Sequence, residues 1–215
     1  MLKLYTYFRS SAAYRVRIAL NLKGLPFESI PVHLLKDGGQ QHQAAYRAKS
    51  PLGTVPTLED DAGAHTQSLA IIEYLEERFP QAPLLPESPV ERARVRAIAQ
   101  TIACDIHPVN NLRILQYLGR EFAATQAQKD AWYRHWVMQG LQAIEQMLVS
   151  SPATGSFCQG DLPTVADCCL VPQVFNARRF DCPLDTLPTI RRIVDACERL
   201  PAFADAAPAR QADAE

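Results

Sequence analysis

Leu2, Leu4, Tyr5 and Tyr7 fall in a short run whose pattern predicts a strand over Leu2–Phe8. Ser11–Lys23 then reads as a helix carrying Val16, Ala19 and Leu20, stopped by Gly24, and Phe27–Leu34 as a second strand. The polar stretch Lys36–Gln41 predicts a loop, followed by a weak helical segment. In Pro51–Glu59 a proline stands directly before a short strand, Asp60–Gly63 has the composition of a hairpin turn, and His65–Gln67 is its expected return strand. Ser68 opens a helix whose Ile71, Ile72, Leu75 and Phe79 form a core-facing stripe.

Pro80, Pro83, Pro86 and Pro89 cannot continue a helix and predict a stiff connector. No strand pattern appears beyond it. Ser88-Pro89-Val90-Glu91 has the form of a capping box with proline at the first helical position. Trp132, Trp136, Leu141, Ile144 and Leu148 make a long stripe expected to be core. Thr164-Val165-Ala166-Asp167 is a second cap, leading into Leu170, Val171 and Val174, and a structural role is expected for it. Ile190, Ile193, Val194 and Cys197 mark a final helix, and the tail from Pro201 is expected to fray. The predicted architecture is α/β plus all-α: a βαβ-ββα domain over 1–81, a proline-rich linker over 82–89 and a helical domain over 90–215.

A chain of 215 residues suffices for one large domain or two small ones. The net charge of -1 argues against nucleic acid or an anionic membrane as partner. No apolar run approaches the roughly 20 residues of a membrane span, and no signal-peptide core opens the chain, so a cytoplasmic protein is expected. All six cysteines lie in the second half without a Cys-x-x-Cys, which predicts reduced core thiols. The five histidines do not cluster in sequence, and no metal site is expected.

The run Phe8-Arg9-Ser10-Ser11-Ala12-Ala13-Tyr14-Arg15-Val16-Arg17 carries the candidate chemistry. Two hydroxyls sit where a strand turns into a helix, and the first unpaired N–H groups and the helix dipole favour an anion there. Thiol–disulfide enzymes with a similar opening place Cys-x-x-Cys at such a turn. Here the turn reads Ser-Ser-Ala-Ala, so it brings no thiol and suits one supplied by a ligand.

Ser10-Ser11 with Arg15-Val16-Arg17-Ile18-Ala19-Leu20, Asp37-Gly38-Gly39-Gln40-Gln41, Val55-Pro56-Thr57-Leu58, Gln67-Ser68 with Ala70-Ile71-Ile72-Glu73-Tyr74-Leu75-Glu76, and Leu170-Val171-Pro172-Gln173-Val174 occur in one register. Together they resemble the zeta class of glutathione transferases, whose members include maleylacetoacetate and maleylpyruvate isomerases. The resemblance implies a thioredoxin-like N-terminal domain that binds glutathione, a helical domain that supplies much of the substrate pocket, and a homodimer. It implies that Ser10 activates the glutathione thiol with Ser11 beside it. Val55 and a cis Pro56 are to pair with the cysteinyl backbone, Gln67 and Ser68 to hold the γ-glutamyl end, and Gln41 to lie near the glycine end. His107 and Asn111 match positions that reach glutathione from the helical domain. Ala12 and Ala13 depart from the family motif, which has cysteine and serine there.

The implied reaction is glutathione-dependent cis–trans isomerisation of a maleyl-substituted keto acid, maleylacetoacetate first and maleylpyruvate as the alternative. A transferase or dehalogenase acting on small α-halo acids is a further alternative. A dicarboxylate substrate needs cations. Arg9, beside the serine turn, is the first candidate, and Arg178 and Arg179 are the next.

Overall fold

The computed structural model describes residues 1–215. Its central strand, β1 (Leu2–Thr6), pairs in parallel with β2 (Phe27–Pro31) and antiparallel with β3 (Thr57–Asp60). β3 pairs antiparallel with β4 (Gly63–Thr66), giving the order β2-β1-β3-β4. The register sets Leu4 opposite Leu58, both fully buried. The expected strand over Leu2–Phe8 is shorter because the chain turns at Tyr7, whose carbonyl accepts the Ser10 N–H at 2.9 Å. Helix α1 (Ser11–Leu22) connects β1 to β2, as a parallel pair requires.

α1 is buried along Ser11–Leu20 and packs on α3 (Ser68–Arg78), whose Ile71, Ile72 and Leu75 are fully buried. A short helix, α2 (Ala44–Arg47), precedes β3. Lys23 Nζ donates to Glu76 (2.6 Å) and to the carbonyls of Gln81 and Ala82, and Glu76 takes the Leu84 N–H. The first half of the proline-rich connector is therefore fastened to these helices.

The chain divides into two compact units, Met1–Leu84 with Arg199–Glu215, and Leu85–Glu198. The boundary near residue 84 lies within the expected linker, but the last 17 residues depart from the expected helical domain over 90–215. They do not fray. α9 (Pro201–Ala204) buries Phe203 completely, and polar side chains of α1 take up its carbonyls.

The second unit contains no strand. α4 (Pro89–Gln100) runs into a π-helical turn over Thr101–Ile106, and α5 (Leu112–Glu121), α6 (Gln126–Val149), α7 (Val165–Arg179) and α8 (Pro188–Glu198) follow. α7 packs on α4 and α8, and its Leu170, Val171 and Val174 are fully buried. On α8 the buried positions are Ile190, Ile193, Val194 and Cys197, as the pattern predicts.

Three local expectations change. Ser88 stands at the start of α4 but makes no side-chain cap, and Glu91 instead accepts from Gln159 Nε2 at 3.2 Å. The buried stripe of α6 is Tyr133, Val137, Leu141, Ile144 and Leu148, with Trp132 and Trp136 on its flank. The Trp132 indole N–H bonds the Val109 carbonyl (2.9 Å), which keeps that ring at the margin. No disulfide joins the cysteines, and five are buried, but Cys104 is exposed. The Thr164–Asp167 cap does form: fully buried Asp167 accepts the N–H groups of Thr164 (2.8 Å) and Cys158 (2.9 Å).

Candidate active site

Ser10 is the N-cap of α1, with extended backbone (φ -68°, ψ 114°), and its Oγ accepts the Ala13 N–H at 3.2 Å. That bond uses a hydroxyl lone pair and leaves the O–H as a donor. Ser11 is the first helical residue and is only 3% exposed, whereas Ser10 is half-buried. Of the two hydroxyls, Ser10 is the more accessible. Ala12 and Ala13 are both buried and carry only methyl groups, so no reactive side chain stands at either position.

Arg9 is half-buried, with its guanidinium 4.7 Å from the centre of the Phe8 ring. Its Nε is buried without a protein hydrogen-bond partner, which leaves a charged donor to be met by a ligand oxygen.

Gln67 precedes α3 with φ 69° and ψ 115°, a left-handed conformation that a non-glycine residue adopts at a cost of roughly 1–3 kcal/mol. It turns the chain so that Ser68 begins the helix with its side chain buried. Ser68 Oγ accepts from Arg15 Nη1 at 3.1 Å, and Arg15 is 1% exposed. The helix that starts at the serine turn is thereby fastened to the Gln67–Ser68 turn.

Gln41 is nested between two glycines. A Cβ on Gly39 (φ 94°) would stand 2.7 Å from Gln41 Nε2, and one on Gly53 (φ 62°) 2.9 Å from Gln41 O. These close approaches account for glycine at positions 39 and 53. Gln41 Nε2 donates to Leu34 O (3.3 Å), while its Oε1 is buried without a partner. An orphan acceptor of this kind fits a peptide N–H. The Val55–Pro56 bond is cis, and Val55 is buried with Tyr7, Phe8, Val32 and Tyr46. Ser10, Ser11, Arg9, Gln41, Val55, Pro56, Gln67 and Ser68 all belong to the first unit.

His107, Asn111, Arg178 and Arg179 belong to the second. The π-helical turn and the tight turn Pro108–Asn110 bring Asn111 Nδ2 to 3.5 Å from His107 Nε2. Asn111 also caps α5 by accepting the Arg113 N–H at 3.2 Å. Arg178 pairs with Glu198 at 2.6 Å and lies 4.0 Å from Asp195, so its charge is already matched by acids. Arg179 lies over the rings of Phe175 (6.0 Å) and Phe180 (5.7 Å) and donates to Asn176 Oδ1.

Residues 4–83 match the family model described as glutathione S-transferase, N-terminal domain. The maleylacetoacetate isomerase of Pseudomonas aeruginosa is 49% identical over 213 residues, covering 99% of this chain and 98% of the relative. The maleylpyruvate isomerase of a Ralstonia species is 48% identical, covering 99% of each. The chain belongs to the zeta class of glutathione transferases. A holo structure of a bacterial zeta-class maleylpyruvate isomerase superposes with a TM-score of 0.96 at 47% identity, covering 99% of this chain and all of that one. The maleylacetoacetate isomerase of Methylobacterium extorquens AM1, solved with malonate and glutathione bound, gives 0.95 at 41% identity and 99% coverage of both.

Arg15 and Arg17 lie on the buried helix α1, and the fold uses them internally. Arg17 donates to Thr6 Oγ1 (3.0 Å), Tyr7 O (3.4 Å), Phe8 O (3.1 Å) and Ala206 O (3.0 Å). Burial lowers its pKa to about 10, so it stays charged at neutral pH. The signal was present in the sequence: a helix apolar nearly all round is buried, and arginines within it must be satisfied internally.

Proposed function

We propose that this chain is a glutathione-dependent cis–trans isomerase of a maleyl-substituted keto acid, with maleylacetoacetate as the first substrate. The observation that carries the reading is the Ser10 turn, which offers a hydroxyl donor and a helix N-terminus but no protein thiol. Glutathione, when bound, supplies a thiolate that adds to the cis double bond and departs after rotation, so that it is recovered unchanged.

Ser10 donates its O–H to the sulfur and favours the anion. Lowering a thiol from about 8.5 by about two pH units corresponds to roughly 2.7 kcal/mol, within reach of one hydroxyl and backbone N–H groups. Ser11 lies beside it and completes the first turn. The N-terminus of α3 with Gln67 and Ser68 suits the γ-glutamyl carboxylate. The Val55 backbone, with Pro56, pairs with the cysteinyl residue, and Gln41 Oε1 accepts a peptide N–H toward the glycine end. Arg9 holds a substrate carboxylate through its unpartnered Nε edge. In the second unit, His107 and Asn111 match positions that the family resemblance assigns to glutathione, and Arg179 is the candidate there for the substrate. Arg178 is the lesser candidate because Glu198 already engages it.

The fit of the chain to the bacterial maleylpyruvate isomerase favours maleylpyruvate as a second reading. Comparing kcat/KM for the two acids tests this choice directly. A larger value for maleylacetoacetate supports the first reading, and a larger value for maleylpyruvate replaces it. We also propose a homodimer, from the family resemblance, and a cytoplasmic location. No helix is long and apolar enough to cross a membrane.

A further inference from the structure

Residues 199–215 return along α1 toward the serine turn. Asn21 Nδ2 donates to Ala202 O (3.0 Å), Tyr14 Oη to Phe203 O (3.4 Å), and Arg17 Nε to Ala206 O (3.0 Å). Beyond the N-terminal end of α1, the Phe8 N–H donates to Asp213 Oδ2 at 3.0 Å, and Lys36 pairs with Glu215. The order of these contacts carries the segment from the last turn of α1 to the residue two places before Ser10.

Two side chains from opposite directions meet the backbone there. Asp213 takes the N–H of the Tyr7–Phe8 peptide group, and Arg17 takes its carbonyl, which also accepts the Ser10 N–H at 2.9 Å. Arg17 holds the next carbonyl, Phe8 O, at 3.1 Å, and also donates to Thr6 Oγ1 and Ala206 O. Bonds from charged groups to backbone are the stronger kind. The peptide groups leading into the Ser10 turn are thus clamped from both sides, and one jaw of the clamp comes from residues 206–213.

We propose that Arg17 and Asp213 are positioning residues for Ser10, setting through the Tyr7–Phe8 backbone where its hydroxyl meets the glutathione sulfur. The proposal rests on the reading of Ser10 as donor to that sulfur. A hydroxyl displaced by about 1 Å loses most of its effect on a developing anion, and such misplacement costs up to roughly 10²-fold in rate. Arg17 is 1% exposed, and its replacement confounds position with folding. Asp213 is half-buried, and its replacement does not.

The test uses Asp213→Ala and Asp213→Asn in the full chain, alone and combined with Ser10→Ala. Amide hydrogen exchange of glutathione-free protein reports the clamp, and ultraviolet titration of bound glutathione reports the thiol pKa. Asp213→Ala should speed exchange at Phe8 and Ser10 by about tenfold and reduce the thiolate fraction at neutral pH by about threefold. Asp213→Asn, which keeps an acceptor oxygen, should restore most of both. Adding Asp213→Ala to Ser10→Ala should give no further pKa change. Unchanged exchange and titration in Asp213→Ala, or an equal pKa change with Ser10 absent, overturns the positioning role. A Ser10→Ala protein whose bound thiol titrates like the wild type overturns the Ser10 reading instead, and is seen without touching Asp213.

Discussion

Arg15 Nη1 lies 3.1 Å from Ser68 Oγ, and both side chains are buried. This bond joins the turn assigned to the glutathione sulfur to the turn assigned to its γ-glutamyl end, because Arg15 follows the Ser10 cap by five residues and Ser68 follows the left-handed Gln67. Ser68→Ala removes one acceptor from a buried cation and should destabilise the fold by about 1–3 kcal/mol. KM for glutathione should rise several-fold with little change in kcat. Thermal unfolding with steady-state kinetics checks both, and a fall in kcat at constant KM would count against the assignment of this turn to binding.

Ser10→Ala removes the proposed sulfur donor and a helix cap together. The cap accounts for about 1 kcal/mol of stability, while turnover should fall by at least about tenfold and the bound thiol should become harder to ionise. Titration of bound glutathione separates the two effects, since loss of a cap alone leaves the thiol pKa unchanged. A pKa that moves in Ser11→Ala and not in Ser10→Ala would transfer the role to Ser11.

Arg9 is assigned to a substrate carboxylate through its unpartnered Nε. Arg9→Met should raise KM for the dianionic acid by about tenfold, which is roughly 1.4 kcal/mol. The affinity for glutathione, measured by calorimetry, should stay within about twofold. A loss confined to glutathione binding would contradict this role.

Asp60 gives the protein a defined acid sensitivity. Burial alone would raise its pKa, but bonds from Tyr74 (2.5 Å) and the Ala62 N–H, with His65 beside it, outweigh burial and hold it below the ordinary 3.8. A carboxyl lowered in the folded state stabilises fully above its unfolded pKa, and that stability is lost as pH falls through the folded value. Asp60→Asn should therefore lower Tm near neutrality and flatten its decline below about pH 4. Parallel Tm curves for variant and wild type across that range would refute the linkage.

Much of the first unit was legible because local signals agreed. Strand and helix periods, the Val55-Pro56 step, the Asp60–Gly63 hairpin and the Ser68 start all coincide with observed elements. The misreadings share a cause: each depended on a partner distant in sequence. Glu91 joins Gln159 instead of Ser88, Trp132 leaves the core stripe for the Val109 carbonyl, and residues 199–215 are ordered by α1. The burial of Arg15 and Arg17 was legible from the apolar helix around them, but their partners, Ser68 and the Tyr7–Phe8 backbone, were not, and neither was the bond from the Phe8 N–H to Asp213. The departure at Ala12 was legible from the chain itself, and it puts the weight of the proposed thiol activation on Ser10.

In the proposed reaction glutathione acts catalytically. Supplying maleylacetoacetate in large excess over glutathione, and measuring the trans product and free glutathione together, tests that claim most directly. Many turnovers per glutathione with the thiol recovered in full are predicted. Product that stops at one equivalent of glutathione, with a stable conjugate accumulating in its place, would contradict it and identify a transferase.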